Sequence, residues 1–205
     1  MKAEHLEILV EEPSMEAFLR QLLPRLLGNR ATFSIYPSQG KEDLLRNLPA
    51  RLKAYAKFLP AGYRIVVVVD RDDDDCHELK KKLDRAAADA GLATRKAGRV
   101  PAWRIVNRIA IEELEAWYFG DWEAVRQCYP AVPRTLEQRA GYRDPDDIRG
   151  GTWEAFERVM QKAGYFSSGL GKTEVARNLG NLVMPERSRS RSFSVFCEVL
   201  FEASA

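Results

Sequence analysis

Two apolar periods alternate along the first 120 residues, one suited to short strands and one to helices. Leu6 to Val10 is a short apolar run ending in Glu11 and Glu12. Ser14 then stands as an N-cap before the helical spacing of Phe18, Leu19, Leu22, Leu23 and Leu26. The pattern predicts a β–α unit. Thr32 to Tyr36 reads as a second strand. After the loop Pro37 to Gly40, Leu44, Leu45, Leu48, Leu52 and Tyr55 mark an amphipathic helix over 41–57, with Pro49 expected to break or kink it. Arg64 to Val69 is the clearest strand: an isoleucine and four valines suit a central parallel strand covered on both faces, ending at Asp70. Residues 75–90 are rich in helix formers and Gly91 is placed to close that helix. Further strands are expected at Leu92 to Lys96 and at Arg104 to Ile111, the latter leading directly into a helix over Glu112 to Phe119.

Strands alternating with helices predict an α/β fold with a parallel-rich sheet and right-handed crossovers. From Asp121 onward the rhythm becomes helical and loop-rich, punctuated by Pro130, Pro133, Pro145 and the pair Gly150–Gly151. The expected organisation is an α/β core over residues 1–120 with a helical extension, 121–205, packed on it. A length of 205 residues agrees with one well-filled domain.

Composition narrows the class. Apolar residues are 45% and charged residues 30%, which argues against a disordered or fibrous chain. The longest purely apolar run, Ile65 to Val69, is far short of the roughly 20 residues a membrane helix needs, and the acidic N-terminus has no signal-peptide core. A cytoplasmic protein without a membrane partner is expected. Cys76, Cys128 and Cys197 are odd in number and widely spaced, which suits reduced thiols better than a disulfide framework or a zinc cage. A net charge of +2 gives little general attraction to nucleic acid, but the distribution is uneven. Five acids fill the six positions Asp70 to Asp75, while Arg177, Arg187, Arg189 and Arg191 face only Glu186 between 177 and 191. An acidic centre with a basic flank suits a metal-dependent enzyme acting on a polyanion; solvated charge runs are the ordinary alternative.

Three acidic groups stand at the carboxyl ends of predicted strands: Glu11 and Glu12; Asp70 and Asp72; and Glu112, Glu113 and Glu115. In an open parallel sheet ligands bind at that edge. Asp70 and Asp72 can turn two hard oxygen donors toward one Mg²⁺ or Mn²⁺ ion. Without a cation, such clustering raises carboxyl pKa values.

The run ILVEEPSMEAFL, a strand ending in Glu and followed by a small hydroxyl residue and a further acid, together with VVVVDRDDDD, resembles the Toprim signature of one Glu and a DxD pair. That signature belongs to topoisomerase–primase domains and overcoming-lysogenization-defect nucleases. With IEELEAWYFGD added, the chain also resembles a bacterial Toprim-like family, domain of unknown function 4276. The resemblance implies a Toprim-like, Rossmann-like fold in which Glu11 is the motif glutamate and Asp70 and Asp72 are metal ligands. Glu16 would serve as an extra acid and Glu113 as a further ligand. The nuclease pattern has glycine where Glu12 stands and usually an acid where Met15 stands, a departure at the second metal position. The resemblance also implies a lysine near the scissile phosphate, for which Lys172 is the first candidate and Lys41 the second. On helical spacing alone, Glu112 and Glu115 share a face and Glu113 points elsewhere, so spacing does not choose among them.

Other motifs carry less. GLGKT, at 169–173, lacks the glycine that a P-loop requires at position 166, where Phe166 stands. His5 and His77 have neither zinc-site nor triad spacing, and the four tryptophans are scattered as packing residues are. Ser188 to Ser194 alternates with arginines and reads as a flexible solvated loop, with phosphate contact as the alternative. The leading expectation is a metal-dependent phosphodiesterase, a nuclease acting on DNA or RNA in bacterial defence or mobile-element conflict. The alternative is a non-catalytic or regulatory subunit of a complex with an ATPase partner. A receiver-type or phosphatase site is a third option, disfavoured by the absence of a DxDx[TV] motif.

Overall fold

The computed structural model describes residues 2–95 and 103–205. In chain order, β1 (His5–Val10), α1 (Pro13–Leu27), β2 (Thr32–Pro37), α2 (Lys41–Phe58), β3 (Tyr63–Asp70), α3 (Cys76–Asp89) and β4 (Ile105–Ala110) form a parallel α/β unit. The strands lie in the order β2-β1-β3-β4, every pair parallel. The expected α/β class with a parallel sheet is what the chain adopts. Helices α4 (Leu114–Gly120), α5 (Trp122–Cys128), α6 (Thr152–Lys162), α7 (Lys172–Gly180) and α8 (Arg191–Ser204) follow.

Side chains on a strand alternate between faces, so the central strands feed two cores. Ile8, Val10, Val66, Val68 and Val106 pack with α1, α4, α7 and α8, whereas Leu9, Ile65, Val67 and Val69 pack with Leu44, Leu48 and Leu52 of α2 and Leu79 and Leu83 of α3. Burial on both faces explains the unbroken run of valines in β3. On the first face, Trp117 is fully buried against Phe18, Phe193 and Phe196, with its indole N–H donating to Ser192 at 3.0 Å. Gly180 lets α7 lie close to α1, because a Cβ there would fall 2.4 Å from the Phe18 carbonyl oxygen.

Several local expectations are corrected. Ser14 lies inside α1 and is not its N-cap; Glu12 holds the cap position and accepts the Ser14 hydroxyl at 2.5 Å. Pro49 neither breaks nor ends α2, because it lies on the exposed side, where water can satisfy the carbonyl freed one turn earlier. No strand forms over the described part of 92–96: Thr94 makes only an isolated bridge to Ile105, and Lys96 lies outside the described residues. The helix expected over 112–119 begins only at Leu114, with Glu113 at its cap and Glu112 in a left-handed turn at φ 60°. Ser188 to Ser194 is not a solvated loop. Ser190 is fully buried and caps α8, and Asp146 accepts from the Ser190 hydroxyl and from the backbone N–H and hydroxyl of Ser192. Gly91, by contrast, closes the α3 segment in the left-handed conformation expected of it.

Candidate functional site

The order β2-β1-β3-β4 reverses the direction of winding between β1 and β3, since β2 lies to one side of β1 and the chain then returns to the other. At such a switch point the connecting helices diverge and leave a crevice beyond the carboxyl ends of the two strands. Glu11 follows β1 and Asp70 ends β3, so both stand at that crevice. They are joined directly: the Asp70 backbone N–H donates to Glu11 Oε2 at 3.1 Å.

Asp70 is 6% exposed, and its Oδ1 is buried without a hydrogen-bond partner. Burial, followed by the charges of Glu11, Glu115, Glu12 and Asp72, raises its pKa well above the ordinary value. Burial likewise pushes Glu11 to about 7, opposed by the Asp70 N–H and reinforced by Asp72. Glu115, 3% exposed on the first turn of α4, is pushed to about 8 by burial, with Lys172 opposing and Glu113 adding to the shift. The Tyr118 hydroxyl, one turn further along α4, is also buried without a partner, and burial next to Glu115 and Asp70 raises its pKa.

Two lysines flank the acids. Lys41 Nζ, from the start of α2, lies 2.7 Å from Asp72 Oδ2 and 2.9 Å from Asp74 Oδ2, and donates to the Arg71 carbonyl. Lys172 Nζ, from the start of α7, lies 3.9 Å from Glu12 Oε1 and 4.4 Å from the centre of the Trp153 ring. Burial lowers both ammonium pKa values, but the carboxylates outweigh it: Asp72 and Asp74 hold up Lys41, and Glu12, Glu115, Glu113 and Asp70 hold up Lys172. Both remain charged at neutral pH.

The expected residues therefore separate. Glu11, Asp70, Asp72 and Lys172 come together at one sheet edge, as does Lys41. Glu16 does not: it pairs with Arg20 one turn along α1. Glu113 turns to the start of α6, where it accepts from the Thr152 hydroxyl at 3.0 Å and the Trp153 N–H at 2.8 Å. Glu112 pairs with Arg71, leaving Glu115 as the acid of that run that reaches the site. Met15, where the nuclease pattern carries an acid, is buried in the core. Sequence reasoning missed Tyr118, although its spacing of three from Glu115 places both on one face of α4. It also missed Trp153, which no spacing signal ties to Lys172.

Glu11, Asp70 and Asp72 offer hard oxygen donors, and the bare, buried Asp70 Oδ1 is an atom that a divalent cation would satisfy. Among the described residues no three acidic, histidine or cysteine side chains already stand as a metal cage, and Asp72 pairs with Lys41. The donor chemistry fits a cation; closing the set requires Asp72 to leave Lys41.

The raised carboxyl pKa values set a pH dependence. Unfolded carboxyls titrate near 4, so between about pH 4.5 and 8 the native chain holds protons that the unfolded chain has released, and stability falls as pH rises. In the absence of divalent ions, the melting temperature should drop by on the order of 10 °C from pH 5 to pH 8. Glu115→Gln should flatten that slope in thermal scans; an unchanged slope would mean that Glu115 does not titrate in this window.

A family model described as a domain of unknown function, DUF4276, matches residues 10–200, and the chain belongs to that family. No curated protein and no solved structure matches it. Among the described residues no helix is long and apolar enough to cross a membrane.

Proposed function

We propose that this family member is a divalent-metal-dependent phosphodiesterase with a Toprim-type acidic edge, acting as a nuclease. The observation that carries the reading is Asp70: a carboxylate buried at the carboxyl end of the central strand, with one oxygen bare and two further acids against it. A group so costly to bury is more readily explained by a bound cation than by folding. Glu11, Asp70 and Asp72 would hold Mg²⁺ or Mn²⁺, which when bound polarises a phosphate and activates water. Glu11, pushed to about 7 by burial in the bare site, is a group whose ionised form a cation would favour. Lys172, kept charged by Glu12 and Glu115, supplies a cation for charge developing on the phosphate.

A second reading, a non-catalytic or regulatory subunit with a degenerate site, is favoured by the ion pairs of Lys41 with Asp72 and Asp74, which neutralise part of the acidic turn without any metal. Calorimetric titration of Mn²⁺ into the wild type and Asp70→Ala/Asp72→Ala separates the two, followed on the same samples by cleavage of single- and double-stranded DNA and RNA. The phosphodiesterase reading expects binding and cleavage in the wild type and neither in the double variant. No heat at millimolar Mn²⁺ would sink it and leave the regulatory reading.

A further inference from the structure

A second concave site lies around the edge of β4, away from the switch point. It is a cleft of about 750 Å³, within the range of sites that enclose a small organic ligand. Its walls are β4 and the residue after it, the start of α3, the turn at 143–146 and the start of α8. Ile109, Ile111, Pro145 and Val195 supply apolar surface, while Arg108, Arg143, Arg189 and Arg191 supply positive charge.

Two carboxylates, Asp144 and Asp146, share the lining with these four arginines and Lys80, so the balance is positive. Asp146 accepts from Ser190 and Ser192 and ties the α8 turn to the opposite wall. Asp144 accepts the backbone N–H of Asp146. Lys80 is paired with Asp84 at 2.6 Å and adds little. Arg189 and Arg191 are exposed and their guanidinium groups have no carboxylate partner among the described residues.

Arg108 provides the independent observation. Its Nε and one terminal nitrogen are buried with no acceptor, and burial, with Arg95 next in effect, lowers its pKa against the opposing charges of Glu198, Glu202 and Asp84. A guanidinium stays charged in a protein, so these donors cannot be relieved by losing a proton. These atoms are buried as placed, so an acceptor brought by a ligand meets them only when the guanidinium turns into the cleft; a phosphate oxygen matches its geometry.

We infer that this cleft binds a nucleotide, its phosphates held by Arg108, Arg189 and Arg191 and its base against the apolar wall of Ile109, Ile111 and Val195. The site is separate from the acidic edge and does not depend on a metal there. The cleft and the edge are nevertheless coupled by backbone: α3 begins directly after the acidic turn, whose Asp72 N–H donates to the Glu112 carbonyl at 2.9 Å, next to Ile111. Nucleotide in the cleft therefore has a route to the position of Asp72.

The test is binding of fluorescent ATP and GTP analogues to the full chain by polarisation, in EDTA, with a single-stranded oligonucleotide of about 12 residues in a parallel arm. The expected result is saturable binding of the mononucleotide, weakened at least about tenfold in Arg189→Ala/Arg191→Ala and in Arg108→Met. Arg20→Ala, remote from the cleft, should bind as the wild type does. Arg108→Met should melt no lower than the wild type, since it removes unsatisfied buried donors, so its loss of binding cannot be ascribed to unfolding. Absence of mononucleotide binding would overturn the inference, as would binding of the oligonucleotide alone, which would make the cleft a strand groove. Neither outcome bears on Mn²⁺ binding at Glu11 and Asp70, so the two sites stand or fall separately.

Discussion

Asp70→Asn should make the metal-free protein more stable and the metal response vanish. At pH 8 in EDTA the variant should melt higher than the wild type by on the order of 5 °C, at about 2–4 °C per kcal/mol for a chain of this size. The substitution removes a buried carboxyl whose ionised form is disfavoured by burial and by the charges of Glu11 and Glu115. The gain should shrink as pH falls, because protonation of Asp70, whose pKa burial raises, removes the same charge. Excess Mn²⁺ should raise the wild-type melting temperature, because a ligand that binds only the native state stabilises it, and should leave Asp70→Asn unmoved. If the phosphodiesterase reading holds, cleavage by the variant falls on the order of 10³-fold, equivalent to about 4 kcal/mol of transition-state stabilisation. A variant that melts lower than the wild type at pH 8 would mean that the carboxylate serves the fold, and would remove the main support for a cation site. A site that is costly to folding and whose removal stabilises is the usual mark of function.

The largest loss of stability should come from Trp117→Ala, about 3–5 kcal/mol in denaturant unfolding. The ring is fully buried where α4 meets α1 and α8, 5.1 Å from the rings of both Phe193 and Phe196 and 5.9 Å from Phe18. Truncation leaves a cavity bounded by three elements that cannot all close in, and removes the indole N–H that donates to the Ser192 hydroxyl. Trp117→Phe should lose less, keeping one aromatic ring in the layer while forfeiting the hydrogen bond and part of the packed volume. Because Trp117 lies between Glu115 and Tyr118 on α4, the alanine variant should also weaken Mn²⁺ binding while still folded. A loss below about 1 kcal/mol would show that this layer repacks freely.

The α/β class was legible because its signals are local. An isoleucine followed by four valines can be satisfied only by burial on both faces, and acids directly after such a strand must emerge at its carboxyl end, as Asp70 does. Gly91 was legible for the same reason, since a left-handed residue after a helix is a backbone demand that glycine meets most cheaply. Pro49 was misread because propensity carries no information about which side of a helix faces water. Over its described part, the strand expected at Leu92 to Lys96 shrinks to one bridge, Thr94 to Ile105, because composition does not say how far pairing with a neighbour extends. Ser188 to Ser194 looked solvated because the carboxylate that organises it, Asp146, lies more than 40 positions away in sequence.

The choice among the glutamates marks the same boundary. Glu112, Glu113 and Glu115 differ little in sequence context, and their roles follow from a left-handed turn at Glu112, which delays the helix to Leu114. That delay sends Glu112 to Arg71, Glu113 to the start of α6 and Glu115 inward toward Asp70. What the sequence by itself determined is the parallel sheet, the acids at its carboxyl edge and the residue types able to hold a hard cation. Only the tertiary structure decided that Lys41 and Lys172 flank those acids and that Glu16 stays away. It alone brought arginines from β4, the 143–146 turn and α8 around one cleft. Hydrophobic period fixes which face of each element is buried, but charges from distant segments meet only through the strand order and helix packing that close the chain.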